Sequence, residues 1–201
     1  MEPLIAAMKQ HGWASMPGPS PDNDSIRLME ECAATCLAGD FAKAGIGRGT
    51  ALQVDGGIRG DHILWLPHGG STDDQKAWLA RLETLRLALN QQLFLGLFEY
   101  EGHFAVYPVG SFYKAHLDQH AGARDRILTV ILYLNPEWQP GDGGELKLWT
   151  SPTGRDGDFQ LIEPRMGTIV CFMSDEFWHE VLPANKTRMS ITGWFRNAPG
   201  A

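Results

Sequence analysis

Residues 127–134 read Ile-Leu-Thr-Val-Ile-Leu-Tyr-Leu. The run is almost continuously apolar, as a strand at the centre of a sheet must be when both of its faces are covered. Alternation along it places Thr129, Ile131 and Tyr133 on one face. The same texture extends in both directions. Further short strands are predicted at 95–107, 111–117, 145–149, 159–162, 167–172, 178–182 and 187–196. Turn signals separate them: Pro108-Val-Gly110, Pro140-Gly-Asp-Gly-Gly144, Ser151-Pro-Thr-Gly154 and Pro164-Arg-Met-Gly167. Eight short strands at this spacing predict a jelly roll or barrel.

Ahead of residue 93 the patterning is helical. Residues 3–11 form a short helix, broken by the proline-rich stretch 17–24. Asp24 or Ser25 is the expected N-cap of a second helix carrying Ile26, Met29, Ala33 and Leu37 at helical spacing. Ile63–Leu66 is a short strand. Thr72-Asp-Asp-Gln75 is a capping box that opens a helix over 72–92, with Trp78, Leu82, Leu85 and Leu89 as its apolar stripe. Helices first and strands afterwards give an α+β class, with the helices packed outside the sheet. Residues 1–44 are expected to be a helical region packing on a β-domain over 45–197. The glycine-rich segment 45–62 reads as a lid or binding loop.

The chain has 201 residues, 43% of them hydrophobic and 20% charged, which suits one soluble domain with a real core. Its 17 basic against 24 acidic side chains give a net charge of −7, arguing against non-specific binding to nucleic acid or anionic lipid. No apolar stretch approaches the roughly 20 residues needed to cross a bilayer. The opening Met1-Glu2-Pro3 lacks the basic and apolar regions of a signal peptide, so a cytoplasmic protein is expected. Cys32, Cys36 and Cys171 fit no zinc template and are read as small buried hydrophobes.

His116-Leu-Asp118 is the first candidate for chemistry, because residues two apart on a strand point the same way. Alone it means little. Seven histidines and the aspartates of this chain give about 0.5 such matches by chance, and a surface His–Asp pair is the plain alternative. His179 adds a second imidazole in the otherwise apolar Phe177-Trp178-His179-Glu180-Val181. Two histidines and one carboxylate form a facial triad that leaves coordination positions open on non-haem Fe(II). Arg188 opens the strand Arg188–Arg196, whose alternation puts Arg188, Ser190, Thr192 and Trp194 on one face. An inward arginine requires an anion, and a carboxylate suits its fork. Tyr133 can offer its hydroxyl to the same anion.

With these residues in place the sequence resembles the Fe(II)/2-oxoglutarate-dependent oxygenases, and more narrowly the prolyl 4-hydroxylases of the hypoxia-inducible-factor type and their bacterial relatives. The resemblance rests on Ile58-Arg-Gly-Asp61, Ile63-Leu-Trp65, Tyr107-Pro108, Gly110-Ser-Phe-Tyr113 with His116-Leu-Asp118, Arg126 with Thr129 and Tyr133-Leu-Asn135, Gly143-Gly144-Glu-Leu146, Ile162-Glu-Pro164, Phe172-Met-Ser-Asp175 with His179-Glu-Val181, Pro183-Ala184, and Arg188 with Ile191-Thr192 and Trp194-Phe195. These matches run in order over about residues 45–196. The first 40 residues carry none of them.

The resemblance implies a double-stranded β-helix (jelly-roll) core with supporting N-terminal helices. It implies that His116, Asp118 and His179 bind iron, and that Arg188 and Tyr133 hold the distal carboxylate of 2-oxoglutarate. Tyr107 would line the chelating end of the cosubstrate, and Thr192 would contact the cosubstrate or a metal-bound water. Arg126 and Trp194 would shape the substrate side, with Arg59 and Asp61 in a loop that closes over a peptide. An apolar wall is expected from Ile131, Phe172 and Trp194. The implied reaction is hydroxylation of a prolyl residue in a protein, using Fe(II), 2-oxoglutarate and O2, giving succinate and CO2, and stimulated by ascorbate. Elongation factor Tu is the first candidate partner that the resemblance suggests. Three other readings remain open from the residues: a hydroxylase of a free amino acid or small metabolite, which a short closing loop would favour; an oxidative nucleic-acid demethylase, which the acidic balance disfavours; and a non-catalytic barrel sensing oxygen or iron.

Overall fold

The computed structural model describes residues 1–18, 23–47, 53–119, 125–151 and 153–198. In chain order the elements are α1 (Glu2–His11), β1 (Trp13–Met16), α2 (Asn23–Ala38), β2 (Ala42–Lys43), β3 (His62–Trp65) and α3 (Asp73–Leu93). They are followed by β4 (Glu99–Tyr107), β5 (Tyr113–His116), β6 (Arg126–Tyr133), β7 (Leu146–Trp149), β8 (Phe159–Ile162), β9 (Ile169–Met173), β10 (His179–Val181) and β11 (Arg188–Arg196). All eight strands expected after residue 93 are present. The largest difference is at β4, which starts at Glu99 rather than 95. The Asn90 amide explains it: it grips the backbone of Leu97 at both N–H and C=O, 2.8 Å each, and holds the residues after α3 in a loop.

The strands form two antiparallel sheets. The larger has the order β1-β9-β6-β11-β4-β3-β2, and the smaller β5-β10-β7-β8. The expected central strand, β6, lies inside the larger sheet between β9 and β11. Its parity is as read: Leu128, Val130 and Leu132 face one way, and Ile131 and Tyr133 the other. Between the sheets, Ala105, Tyr107, Ile131, Tyr133, Val170 and Phe172 meet Leu146, Leu148, Ile162 and Val181. The outer face of the larger sheet is covered by Leu4, Ile5 and Met8 of α1, Leu28 and Cys32 of α2, and Trp78, Leu82, Leu85 and Leu89 of α3. The architecture is the α+β jelly roll with helices outside the sheet.

Three local readings are corrected. In α2 the buried face is Ser25, Leu28 and Cys32, whereas Leu37, expected in the stripe, is 90% exposed; the small residues Ser25 and Cys32 take the interior positions that a count of large apolar residues misses. Asp24 lies within the first turn rather than capping it, where its charge still suits the helix N-terminus. The capping box of α3 is only half formed. Thr72 accepts from Gln75 N–H at 3.2 Å, but the Gln75 side chain accepts from Ser71 N–H and donates to Glu31 at 2.6 Å, tying α3 to α2. Cys32 and Cys171 are buried, and burial pushes both thiols up to about 12; Cys36 is half-buried. The expected lid at 45–62 falls partly on 48–52, outside the described residues; on either side of these, Ile46 bridges to Gln53 and Arg59 to Tyr113.

Candidate active site

His116 and His179 are direct cross-strand partners of β5 and β10, so the smaller sheet brings the two imidazoles to one point. Their ring centroids are 4.2 Å apart. Asp118 lies just beyond the end of β5 rather than on it, and still turns inward. Each imidazole Nε2 is 3.5 Å from a different oxygen of Asp118, and one donor atom from each of the three residues lies within 4.8 Å of the others. The Nδ1 atoms face backbone carbonyls, Lys114 O at 2.7 Å for His116 and Phe177 O at 3.0 Å for His179. A carbonyl only accepts, so Nδ1 carries the hydrogen and Nε2 keeps its lone pair for a metal. Thr129 Oγ1 donates to Asp118 Oδ2 at 2.7 Å and sits 2.9 Å from Ser174 Oγ.

The electrostatics agree with a cation site. Burial opposes ionisation of Asp118, yet the two imidazoles hold its carboxyl well below the usual range. Burial and the neighbouring His179 lower the pKa of His116. For His179 burial also lowers it, but Asp118 outweighs burial and the net shift is upward. Two imidazole nitrogens and one carboxylate, with nothing else of the protein as a fourth ligand among the described residues, fit octahedral Fe(II) with open positions better than closed tetrahedral zinc.

The triad borders a cavity of about 480 Å³, within the usual range for a small-molecule site. At its inner end Arg188 is only 2% exposed. Its Nε donates to Gly144 O at 2.9 Å, and its guanidinium carbon lies 4.9 Å from the ring centroids of both Tyr107 and Tyr133. Gly144 is required there: its φ is +68°, and a Cβ would stand 2.9 Å from Ala184 Cβ and 3.2 Å from Arg188 Cδ. Among the described residues no carboxylate pairs with Arg188, and the buried Tyr133 hydroxyl has no hydrogen-bond partner. Burial pushes the Tyr133 pKa up against the pull of Arg188, so the hydroxyl stays a donor. A buried cation beside an unmatched hydroxyl fits an anionic ligand group such as a carboxylate.

Thr192 lines the cavity, 3.3 Å from Ser190 Oγ, as do Ile131, Leu146 and Val181. Phe172, expected in the wall, packs instead against His179 with ring centroids 4.7 Å apart. On the outer side Trp194 lies beneath Arg126, whose guanidinium carbon is 3.4 Å from the ring. Arg59 also reaches the cavity, over the face of Tyr113 at 4.2 Å. Asp61 does not: its buried carboxylate accepts two hydrogen bonds from Arg59, at 2.7 and 2.6 Å, and it holds Arg59 rather than facing a ligand.

Several lining residues were not read from the sequence. Glu101 and His103 alternate with Ala105 and Tyr107 along β4, so counting back by two from Tyr107 finds them. Tyr113 stacks on His116 with centroids 3.6 Å apart. It lies three residues away, and it shares the face because the β5–β10 register shifts between His179 and Val181, a bulge that period-two counting does not anticipate.

Residues 102–196 match the model of the 2OG-Fe(II) oxygenase superfamily. Among solved structures the chain is similar to a Pseudomonas putida prolyl-4-hydroxylase, with a TM-score of 0.88, 39% identity and 98% of each chain covered. It is also similar to a Trichoplax adhaerens prolyl hydroxylase in complex with a hypoxia-inducible-factor oxygen degradation domain peptide, with a TM-score of 0.84, 25% identity, and 96% and 87% coverage. Among curated proteins it is 34% identical to human Egl nine homolog 1 over 207 residues, covering 98% of this chain and 47% of that one. The chain spans about half the length of the curated Egl nine homolog 1 proteins that it matches.

Proposed function

Because the chain belongs to the 2OG-Fe(II) oxygenase superfamily, we propose that it hydroxylates a prolyl residue in a protein, with Fe(II), 2-oxoglutarate and O2 as its cofactors and succinate and CO2 as co-products. The observation that carries this reading is the buried Arg188 beside the unmatched Tyr133 hydroxyl, on the same cavity as the triad. The named activities of the P. putida and T. adhaerens relatives favour proline as the target.

His116, Asp118 and His179 hold the iron. When bound, it supplies the oxidising chemistry that splits 2-oxoglutarate and places one oxygen atom on a C–H bond of the substrate. The rest is done by this chain. Gly144 O fixes Nε of Arg188, so that the remaining guanidinium hydrogens meet the distal carboxylate of the cosubstrate together with the Tyr133 hydroxyl. Ile131 walls that carboxylate off from water, which strengthens the pairing, Tyr107 lines the chelating end of the cosubstrate, and Thr192 offers its hydroxyl to the cosubstrate. Thr129 keeps Asp118 turned to the metal. Trp194 and Arg126 form the peptide side of the cavity, and Arg59 lines the same cavity over the face of Tyr113. Elongation factor Tu is the first partner to test, ascorbate is the expected stimulant, and the cytoplasm is the proposed compartment; among the described residues no helix is long and apolar enough to cross a membrane.

The test is to incubate the full chain with Fe(II), ascorbate, 2-oxoglutarate and purified elongation factor Tu or a host lysate, and to seek one added oxygen on a proline by peptide mass spectrometry. Asp118→Ala should abolish both the added oxygen and 2-oxoglutarate turnover while the circular dichroism spectrum is retained. Oxygen found only on free amino acids would replace the reading with its small-molecule alternative, and normal turnover by Asp118→Ala would reject the triad.

A further inference from the structure

On β4 the cavity-facing residues run Glu101, His103, Ala105, Tyr107. Ala105 and Tyr107 belong to the inner half. Glu101 stands at the outer end, directly across the β4–β11 ladder from Trp194. Its Oε1 accepts from Arg126 Nε at 2.9 Å. Arg126 in turn lies over the Trp194 ring at 3.4 Å. Glu101, Arg126 and Trp194 therefore close a triangle across three adjacent strands, β4, β6 and β11. The other carboxylate oxygen, Oε2, is 3.5 Å from Arg196 Nη1. Arg196 is anchored more closely elsewhere, to Asp125 at 2.8 Å and Glu99 at 3.2 Å.

An arginine has many rotamers, and stacking on an indole fixes its plane but not its rotation in that plane. A carboxylate on Nε fixes the rotation. It also leaves both Nη groups of Arg126, which make no described hydrogen bond, as donors at the cavity. Trp194 is 6% exposed, and its Nε1–H has no acceptor among the described residues. We propose that Glu101 is a positioning residue that locks Arg126 onto Trp194 and so sets how tightly this face of the cavity grips a peptide, without touching the peptide's reacting atoms. The inference rests on the reading of Arg126 and Trp194 as the peptide side.

Two arms test it on the full chain. In 15N-detected NMR of the metal-free protein, Arg126 Nε–H, assigned by its loss in Arg126→Lys, should give a slowly exchanging signal. Glu101→Gln should remove that signal and shift the indole Nε1–H of Trp194. In turnover with a synthetic peptide spanning a proline that the wild type hydroxylates, Glu101→Gln should raise KM for the peptide roughly fivefold. KM for 2-oxoglutarate and peptide-free 2-oxoglutarate consumption should stay within about twofold. In an Arg126→Met background Glu101→Gln should add no further change to the peptide KM. Should Glu101→Gln not fold, Glu101→Asp carries the same predictions. Unaltered Arg126 and Trp194 signals overturn the proposal, as does an equal rise in both KM values or a full additive effect in the Arg126→Met background. If no prolyl peptide is a substrate, the reaction assignment fails while the NMR arm still decides the role of Glu101.

Discussion

Thr129 has no contact with an open surface, yet the function of the site passes through it. Among the described residues its hydroxyl donates a hydrogen bond to Asp118 Oδ2. Thr129→Val keeps the shape and removes the donor. Partners of this kind typically contribute 10–100-fold to metal affinity, so Fe(II) affinity, measured by metal titration, should fall by about that factor while the fold is unchanged. Tyr133→Phe separates stability from function in the opposite sense. It deletes a buried hydroxyl that has no hydrogen-bond partner among the described residues, so the unfolding midpoint should hold or rise. KM for 2-oxoglutarate should meanwhile rise by several-fold, because the distal carboxylate loses a donor. Residues at this scale were legible wherever strand parity held: His116, His179, Arg188, Thr192 and Trp194 all face the cavity as read. Tyr113 was hidden by a register shift. The burial of Asp61 was hidden because a loop sequence does not reveal that its own arginine, two residues earlier, consumes the carboxylate.

Among the elements, α3 shows how far local signals reach. Thr72, the apolar stripe and the helix length follow from capping and periodicity, and Trp78, Leu82, Leu85 and Leu89 are all buried. Thr72→Ala removes the acceptor for Gln75 N–H and the donor to Glu31. It should cost about 1 kcal/mol, the usual worth of such a cap, read as a lower urea midpoint with unchanged slope. β1 and β2 were not legible. Trp13–Met16 contains one fully buried residue, Ala14, so it carries no alternation of its own. It is a strand because the edge of β9 offers it a full register, Trp13 opposite Phe172 to Met16 opposite Ile169. The face of α2 was misread for a similar reason: what lies above a helix decides which residues it buries, and here small side chains fit close to the sheet and α3.

For the molecule as a whole, the sandwich stores a pH dependence in His103, which lines the cavity, is 3% exposed, and packs edge-on to Trp65. Burial lowers its pKa from 6.5 to about 4, against the opposing pull of Asp61. The unfolded imidazole therefore binds its proton at higher pH than the folded one. Stability from this residue is constant above about 6.5, falls as pH drops towards about 4, and is flat below. At ~1.4 kcal/mol per unit the loss amounts to a few kcal/mol. Chemical denaturation at neutral pH and near the lower bound should show this loss in the wild type and a smaller one in His103→Phe; equal losses would exclude His103 as the source.

The two ligand imidazoles each give Nδ1–H to a carbonyl two residues back along their own chain, so which nitrogen looks at the ion is settled by main-chain geometry before any ion arrives. The rings have no reason to turn over, and the sheet that carries them is complete without cross-linking by metal. An incoming ferrous ion thus has little left to organise beyond shedding its own hydration. Uptake should be rapid and reversible, and a chelator should strip the protein of its reactivity without altering its shape.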